Sequence, residues 1–178
     1  VDRLSAMVSS LLELTNLEQM ERGERLSAEQ LIQGAADELA RPAAERQISV
    51  LVDVSPCTLT GNERLLHRAV FNLLENAVKY SPTGGSVHVA GRQADGVFRM
   101  EVTDQGPGIP TELRQQIFEP FFRVDDARSR QQGGAGLGWA LVRAIAEAHG
   151  GAVRGEEAPS GGSRFLLELP MGPGRPDA

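Results

Sequence analysis

One cysteine in 178 residues excludes two common supports of a small fold: Cys57 alone can form neither an internal disulfide nor a cysteine cluster for zinc. A reducing compartment suits such a chain. Long apolar runs are also missing. No stretch approaches the ~20 residues needed to cross a bilayer, and no basic-then-apolar opening resembles a secretory signal, so the chain as given reads as soluble. Positive charge is scarce as well. A formal net charge of -6 argues against a general nucleic-acid binder, whose phosphate contacts demand a basic surface. The length suits one domain with an appendage, and an opening on Val1 within a helical pattern is expected of a piece of a longer polypeptide.

What is present is patterned. From Val1 to about Met20, the residues Leu4, Met7, Val8, Leu11, Leu12, Leu14 and Leu17 form a wide helical stripe, read as one helix of an inter-chain or hairpin bundle, with folding onto its own domain as the alternative. Ser27 with Gln30 three residues on predicts a capped helix running through Leu31 and Leu39 to about Pro42 or Glu45. Ile48 to Val54 reads as a strand. Asn62 caps a helix ending near Tyr80, and two strands, Ser86 to Ala94 and Val97 to Asp104, flank an Asp-Gly hairpin signal. A short helix is expected from Thr111 to Ile117, a mobile loop from Glu119 to Gly134, a helix from Gly136 to His149, and a last hairpin from Ala152 to Glu157 and Ser163 to Leu169. The expected class is α+β: a two-layer α/β sandwich with helices on one face of a mixed sheet of about five strands, preceded by a helical stub (1–22) and followed by a frayed tail (171–178).

Three segments carry chemistry. In the first, Asn72 and Asn76 lie one helical turn apart with Lys79 and Tyr80 beyond them, while Leu66, Val70, Leu73 and Ala77 form a second stripe rotated by roughly 100°. One flank can then bury while the other presents amides and an ammonium to a Mg-bound polyphosphate. In the second, Asp104-Gln-Gly106-Pro-Gly108 ends a strand. A carboxylate there can accept the amino hydrogens of adenine, and the glycines clear space for a ring, although a surface turn explains the motif equally well in isolation. The third, Gly134-Ala-Gly136-Leu137-Gly138, opens directly into a helix, whose free N–H groups favour an anion; a flexible hinge is the plain alternative.

In this order and spacing, the segments resemble the ATP-binding catalytic domain of sensor histidine kinases, within the ATPase class shared with gyrase, Hsp90 and MutL. The resemblance runs from about Leu26 to Pro170. Asn72 to Ser81 looks like the asparagine box, Asp104 to Gly108 the first glycine box, Phe118-Glu-Pro-Phe121-Phe122-Arg123 the phenylalanine box, and Gly134 to Gly138 the second glycine box. The resemblance implies the Bergerat-type ATP-binding fold, ATP with Mg²⁺ as cofactors, Asn76 as principal metal ligand with Asn72 assisting, Lys79 neutralising phosphate charge, and Tyr80 against the nucleotide. Asp104 would read adenine beside Gly106 and Gly108. Gly134, Gly136, Leu137 and Gly138 would border the nucleotide, with core packing the plainer role for Leu137. Arg123 would meet the γ-phosphate ahead of Arg128 and Arg130, and Phe118, Phe121 and Phe122 would pack the lid.

Asn72 also separates subfamilies. Hydrolytic relatives and serine-phosphorylating anti-sigma kinases carry Glu at this place, and a carboxylate can take a proton where an amide cannot. A neutral imidazole needs no such base, so histidine is the implied acceptor. Glu75 reads as a solvated helix charge rather than a base. His67, His88 and His149 lack the acidic residue that follows the family's phosphoacceptor, and each reads as structural. The acceptor histidine is therefore expected on a dimerisation hairpin whose second helix is Val1 to Met20, with a response-regulator aspartate as final acceptor. The whole protein is expected to be a homodimeric, membrane-anchored sensor with this part in the cytoplasm. Two residues depart from the family: Ala135 stands where Thr or Ser is common, and Trp139 replaces a more usual Leu. An ATP-sensing module without phosphotransfer and a hydrolytic ATPase are the rival readings.

Overall fold

The computed structural model describes Leu12, residues 23–122 and residues 136–171. Of the N-terminal stripe only Leu12 falls among them, and all but Met171 of the expected frayed tail lies outside the described residues.

From residue 23 the described elements run β1 (Glu24–Ser27) and α1 (Ala28–Glu38). The Ser27 Oγ accepts the Gln30 N–H at 3.2 Å, the cap read from sequence. A single helix to Pro42 or Glu45 was expected; instead the chain breaks at Leu39 and restarts as α2 (Ala40–Glu45). Pro42 explains the break. It has no N–H and its ring would strike the carbonyl of Glu38, so it is tolerated only within the first turn of a new helix.

Next come β2 (Ser49–Val54), β3 (Thr58–Gly61) and α3 (Glu63–Tyr80). Asn62 caps α3, its Oδ1 accepting the Leu65 N–H at 3.1 Å. The strands β4 (Ser86–Ala94) and β5 (Val97–Thr103) form the expected hairpin, with Asp95 and Gly96 at φ 52° and 75°, the left-handed pair a tight two-residue turn requires. The expected helix from Thr111 to Ile117 is two 3₁₀ turns, Thr111–Leu113 and Gln116–Phe118, closed by short bonds such as Leu113 N–H to Pro110 O at 2.9 Å. The fold closes with α4 (Gly138–Ala148), β6 (Ala152–Glu157) and β7 (Ser163–Pro170).

Five strands form one mixed sheet in the order β2-β4-β5-β7-β6, with β2 and β4 parallel and the remaining neighbours antiparallel. The helices cover one face. There Leu66, Val70, Leu73 and Ala77 of α3, with Leu141 and Ile145 of α4, bury against Val87, Val89, Phe98, Met100, Val102 and Leu167. Each fully buried side chain of this size contributes roughly 1.5–3 kcal/mol before entropy is charged against it. The other face is polar. A run of ion pairs crosses β5, β7 and β6: Arg99–Glu168 at 2.7 Å, Arg154–Glu168 at 3.6 Å, Arg154–Glu156 at 3.0 Å, Arg164–Glu156 at 2.6 Å and Arg164–Glu101 at 3.8 Å. The Arg164 hydrogen bond, ahead of Arg154, holds the Glu156 carboxyl below its ordinary value. This face is therefore covered by its own charged side chains, which suits it to solvent and makes a third layer unnecessary.

Beside this sheet stands a second, two-stranded one, β1 antiparallel to β3, which pairs Leu26 with Leu59. Sequence reading missed it because each strand is four residues long and offers only one buried leucine to distinguish it from a loop.

Candidate functional site

The site begins on α3. Asn72 is only 6% exposed, and its Nδ2 is buried without a hydrogen-bond partner. Asn76, one turn on, is half-buried. The two amides thus share a stripe at different depths. An unpaired buried donor costs about 1–3 kcal/mol, which a packed interior normally avoids and a ligand-binding wall tolerates. Glu75 is exposed, as a solvated helix charge should be. At the end of α3, the Lys79 ammonium lies 5.3 Å from the centroid of the Tyr80 ring.

Arg46 fixes that helix end. Its guanidinium donates to the carbonyls of Val78 at 2.8 Å, of Ser81 at 2.9 Å, and of Lys79. A helix leaves its last carbonyls unpaired and carries partial negative charge there, so a forked cation is a strong cap. Sequence reading missed Arg46, which lies more than thirty residues from the carbonyls it binds. Arg46→Ala is expected to lower unfolding free energy by about 2 kcal/mol, with Arg46→Lys recovering only part, since an ammonium cannot fork. Urea denaturation checks this, and an unchanged midpoint would remove the cap from the account.

Asp104 forms the second wall. It follows β5 and is 3% exposed, with Oδ1 accepting the Gly106 N–H at 2.8 Å and the Ser163 N–H at 3.0 Å. Burial pushes its carboxyl above the ordinary value, and the bonds from Ser163 and Gly106 pull it only partly back. The glycines read from sequence as clearing space for a ring have contacts within the chain. A Cβ on Gly106 would lie 2.8 Å from the Tyr80 carbonyl oxygen, and one on Gly108, at φ 76°, would lie 3.3 Å from the Gly162 carbonyl oxygen. These close approaches hold the Asp104 loop against the end of α3 and the start of β7.

The third wall is the junction into α4. Gly136 sits at φ 73°, and its carbonyl accepts the Phe121 N–H at 2.9 Å; a Cβ there would lie 3.0 Å from the Phe122 carbonyl oxygen. The phenylalanine segment and the second glycine segment therefore meet. Leu137 is buried, the packing role weighed for it. Among the described residues no side chain caps α4, and no acid occupies its first turn, so its start suits an anion. A Cβ on Gly138 would lie 3.6 Å from Asn76 Nδ2, which puts this helix start beside the metal-ligand candidate. Arg123, Arg128, Arg130, Gly134 and Ala135 lie outside the described residues.

Trp139 ties the walls together. Its indole stacks on Tyr80, with centroids 5.9 Å apart, and on Phe165, at 5.4 Å; Phe118 meets Phe165 edge-on at 6.3 Å. Phe118 is thus buried packing at the foot of the lid segment, whereas Phe121 is exposed. The histidines have structural accounts. His149 Nε2 accepts the Asn62 N–H at 3.1 Å while Nδ1 faces the Ile145 carbonyl at 2.7 Å, which fits a neutral ring protonated on Nδ1. His67 pairs with Glu38 at 3.2 Å, and His88 lies 3.3 Å from the Ser86 hydroxyl.

Residues 61–173 match the family described as "Histidine kinase-, DNA gyrase B-, and HSP90-like ATPase". The chain belongs to this ATPase family. Within it, the histidine-kinase branch supplies the relatives. The chain is 39% identical over 175 residues to the sensor-like histidine kinase SenX3 of Mycolicibacterium smegmatis, covering 96% of this chain and 46% of that protein. It is 38% identical over 173 residues to the sensor histidine kinase CpxA of Escherichia coli K12, covering 95% of this chain and 37% of CpxA. Among solved structures, the mycobacterial sensor histidine kinase MprB superposes with a TM-score of 0.76 at 36% identity, covering 85% of this chain and 99% of that one. Full-length ShkA in complex with AMPPNP gives 0.82 at 30% identity, over 96% of this chain and 36% of that one. The chain is a histidine-kinase-type ATP-binding domain, and it spans less than half the length of the SenX3 and CpxA proteins it matches. Among the described residues, no helix is long and apolar enough to cross a membrane.

Proposed function

We propose that this domain binds ATP with Mg²⁺ and donates the γ-phosphoryl group to a histidine on a dimerisation hairpin, for onward transfer to a response-regulator aspartate. The observation that carries the reading is the meeting of three walls: an amide row on α3, the uncapped start of α4 beside Asn76, and the buried carboxylate of Asp104. Such a cleft matches a nucleotide whose base, phosphates and metal make different chemical demands.

The donor set suits the metal. A hard ion that keeps several waters takes an amide oxygen such as that of Asn76, and the unpaired Nδ2 of Asn72, a donor, suits a phosphate oxygen or a metal-bound water beside it. When bound, the ion neutralises charge on the phosphates. Among the described residues no cluster of histidine, cysteine or carboxylate competes for a cation, so the site depends on the nucleotide to complete its shell. Lys79 adds positive charge at the end of α3, the N–H groups of α4 receive phosphate oxygens, and Asp104 accepts from the base. Catalysis by such a site is positioning and charge neutralisation, with Arg123 the nearest cation in sequence to the lid segment.

An amide at Asn72 cannot deprotonate water, so hydrolysis is not the favoured fate of the bound nucleotide. The acceptor should bring its own lone pair, as a neutral imidazole does. His67, His88 and His149 lack the acidic residue that should follow such an acceptor, so the reading takes the histidine to lie outside 1–178, in a homodimeric, membrane-anchored protein whose hairpin includes 1–22 and whose cytoplasmic part includes this domain.

Mixing the domain with labelled ATP, Mg²⁺ and a separately made histidine-bearing hairpin tests the reaction. Acid-labile label on the hairpin and phosphate release no greater than background are expected. ATP binding with no labelled hairpin would favour a nucleotide-sensing module, and steady phosphate release would favour a hydrolase.

A further inference from the structure

Trp139 is the single tryptophan of the chain, and it stands in the first turn of α4, where the glycine segment becomes helix. Its indole stacks on Tyr80 with 26° between planes and on Phe165 with 25°. Both neighbours border the buried carboxylate. Phe165 pairs across the sheet with Val102, two residues before Asp104, and Ser163, two residues before Phe165, donates its N–H to Asp104 Oδ1. The Tyr80 carbonyl lies against Gly106. A fused six-five ring system therefore already rests on Tyr80, next to the group assigned to read a purine, itself a fused six-five ring system.

We propose that the Trp139 indole competes with the nucleobase for the face of Tyr80, making Trp139 an affinity-setting residue that weakens nucleotide binding. The proposal rests on the nucleotide reading given above and adds to it a determinant supplied by this chain's own departure from the family pattern. The packing of the indole supports it. Its Nε1 is buried without an acceptor, so the stacked arrangement carries an unsatisfied donor and loses less on opening than a fully paired side chain would. Stacking is sequence-tolerant because every flat ring offers a π-face, so indole and adenine are interchangeable occupants of the same phenol. Base binding then requires the indole to give way, and the free energy of its stack is subtracted from that of the nucleotide.

The test compares the wild-type domain with Trp139→Leu by calorimetric titration of ATP and Mg²⁺, each protein first checked for a cooperative thermal transition. The variant should bind roughly threefold to tenfold more tightly, the equivalent of one aromatic stack. Equal or weaker binding by a folded variant would overturn the proposal while leaving the nucleotide reading intact; a flat trace from both proteins would overturn both. A second measurement needs no variant. Because Trp139 is the sole indole, its emission should move to longer wavelength as ATP displaces it towards water, and an unchanged or blue-shifted spectrum at saturating ATP would count against displacement.

Discussion

Asn76→Ala is expected to abolish measurable Mg-dependent ATP binding, weakening it by about 100-fold or more. Removing an outer-shell partner of a metal ligand typically costs 10–100-fold, so deleting the principal side-chain ligand itself should exceed that range. The loss should not come from unfolding. Asn76 is half-exposed on α3, whose buried stripe is Leu66, Val70, Leu73 and Ala77, so a methyl group at this position leaves the core contacts in place. Stability should stay within about 0.5 kcal/mol, as for surface substitutions generally. Calorimetry with ATP, with and without Mg²⁺, separates the effects: binding by wild type should fall when the metal is withheld, and the variant should resemble that metal-free condition. A variant that binds as wild type does would take the metal away from Asn76.

Asp104→Asn should separate function from stability. The charge-assisted bond to the base is worth roughly 1.5–3 kcal/mol, so ATP binding should weaken by about 10- to 100-fold and adenine should lose much of its advantage over guanine. Folding should respond in the opposite direction. Burial raises the Asp104 carboxyl above its ordinary value, which means that the folded state favours the protonated form. Stability linked to this group is therefore fully present below the unfolded carboxylate value of about 3.9 and is lost as pH rises through the higher folded value. At neutral pH the charge is a burden that asparagine removes, while its carbonyl can still accept the N–H groups of Gly106 and Ser163. Thermal melts should place the variant above wild type at neutral pH, with the gap closing on acidification. A variant less stable at neutral pH, or one with unchanged nucleotide preference, would refute the role.

The parts of the fold that announced themselves in sequence are those with a local physical signature. The 3.6-residue period of Leu66, Val70, Leu73 and Ala77 fixes the buried side of α3, the Asn62 amide marks its start, and Asp95-Gly96 can adopt the two left-handed conformations that turn β4 into β5. The parts that did not announce themselves depend on distant partners. Leu26 becomes part of a strand only because Leu59 lies opposite, and Arg46 becomes a helix cap only when α3 ends beside it. Pro42 was visible, but its consequence was a choice between ending a helix and restarting one, which packing decides.

The site divides in the same way. Asn72, Asn76 and Asp104 stood out as candidates because few side chains suit a hard cation or an adenine edge at that spacing. Their different depths were not, since the amide stripe alone does not say that Asn72 sinks to 6% exposure while Asn76 stays half-open. Gly106 and Gly108 were read for the ligand, yet their tight contacts are with Tyr80 and Gly162. Glycine marks close approach without saying what approaches. Trp139 was conspicuous as a departure, but nothing local in the sequence says where its indole rests; the structure stacks it on Tyr80 and Phe165.

The central claim is that residues distant in sequence form one nucleotide cleft. Backbone amide shifts recorded during titration with ATP and Mg²⁺ test it most directly. The account predicts that Asn76, Gly106 and Gly138 shift together along one binding curve, while residues on the polar sheet face, such as Arg99 and Arg154, stay still. Shifts confined to one of those three segments, or centred on the outer sheet face, would contradict it.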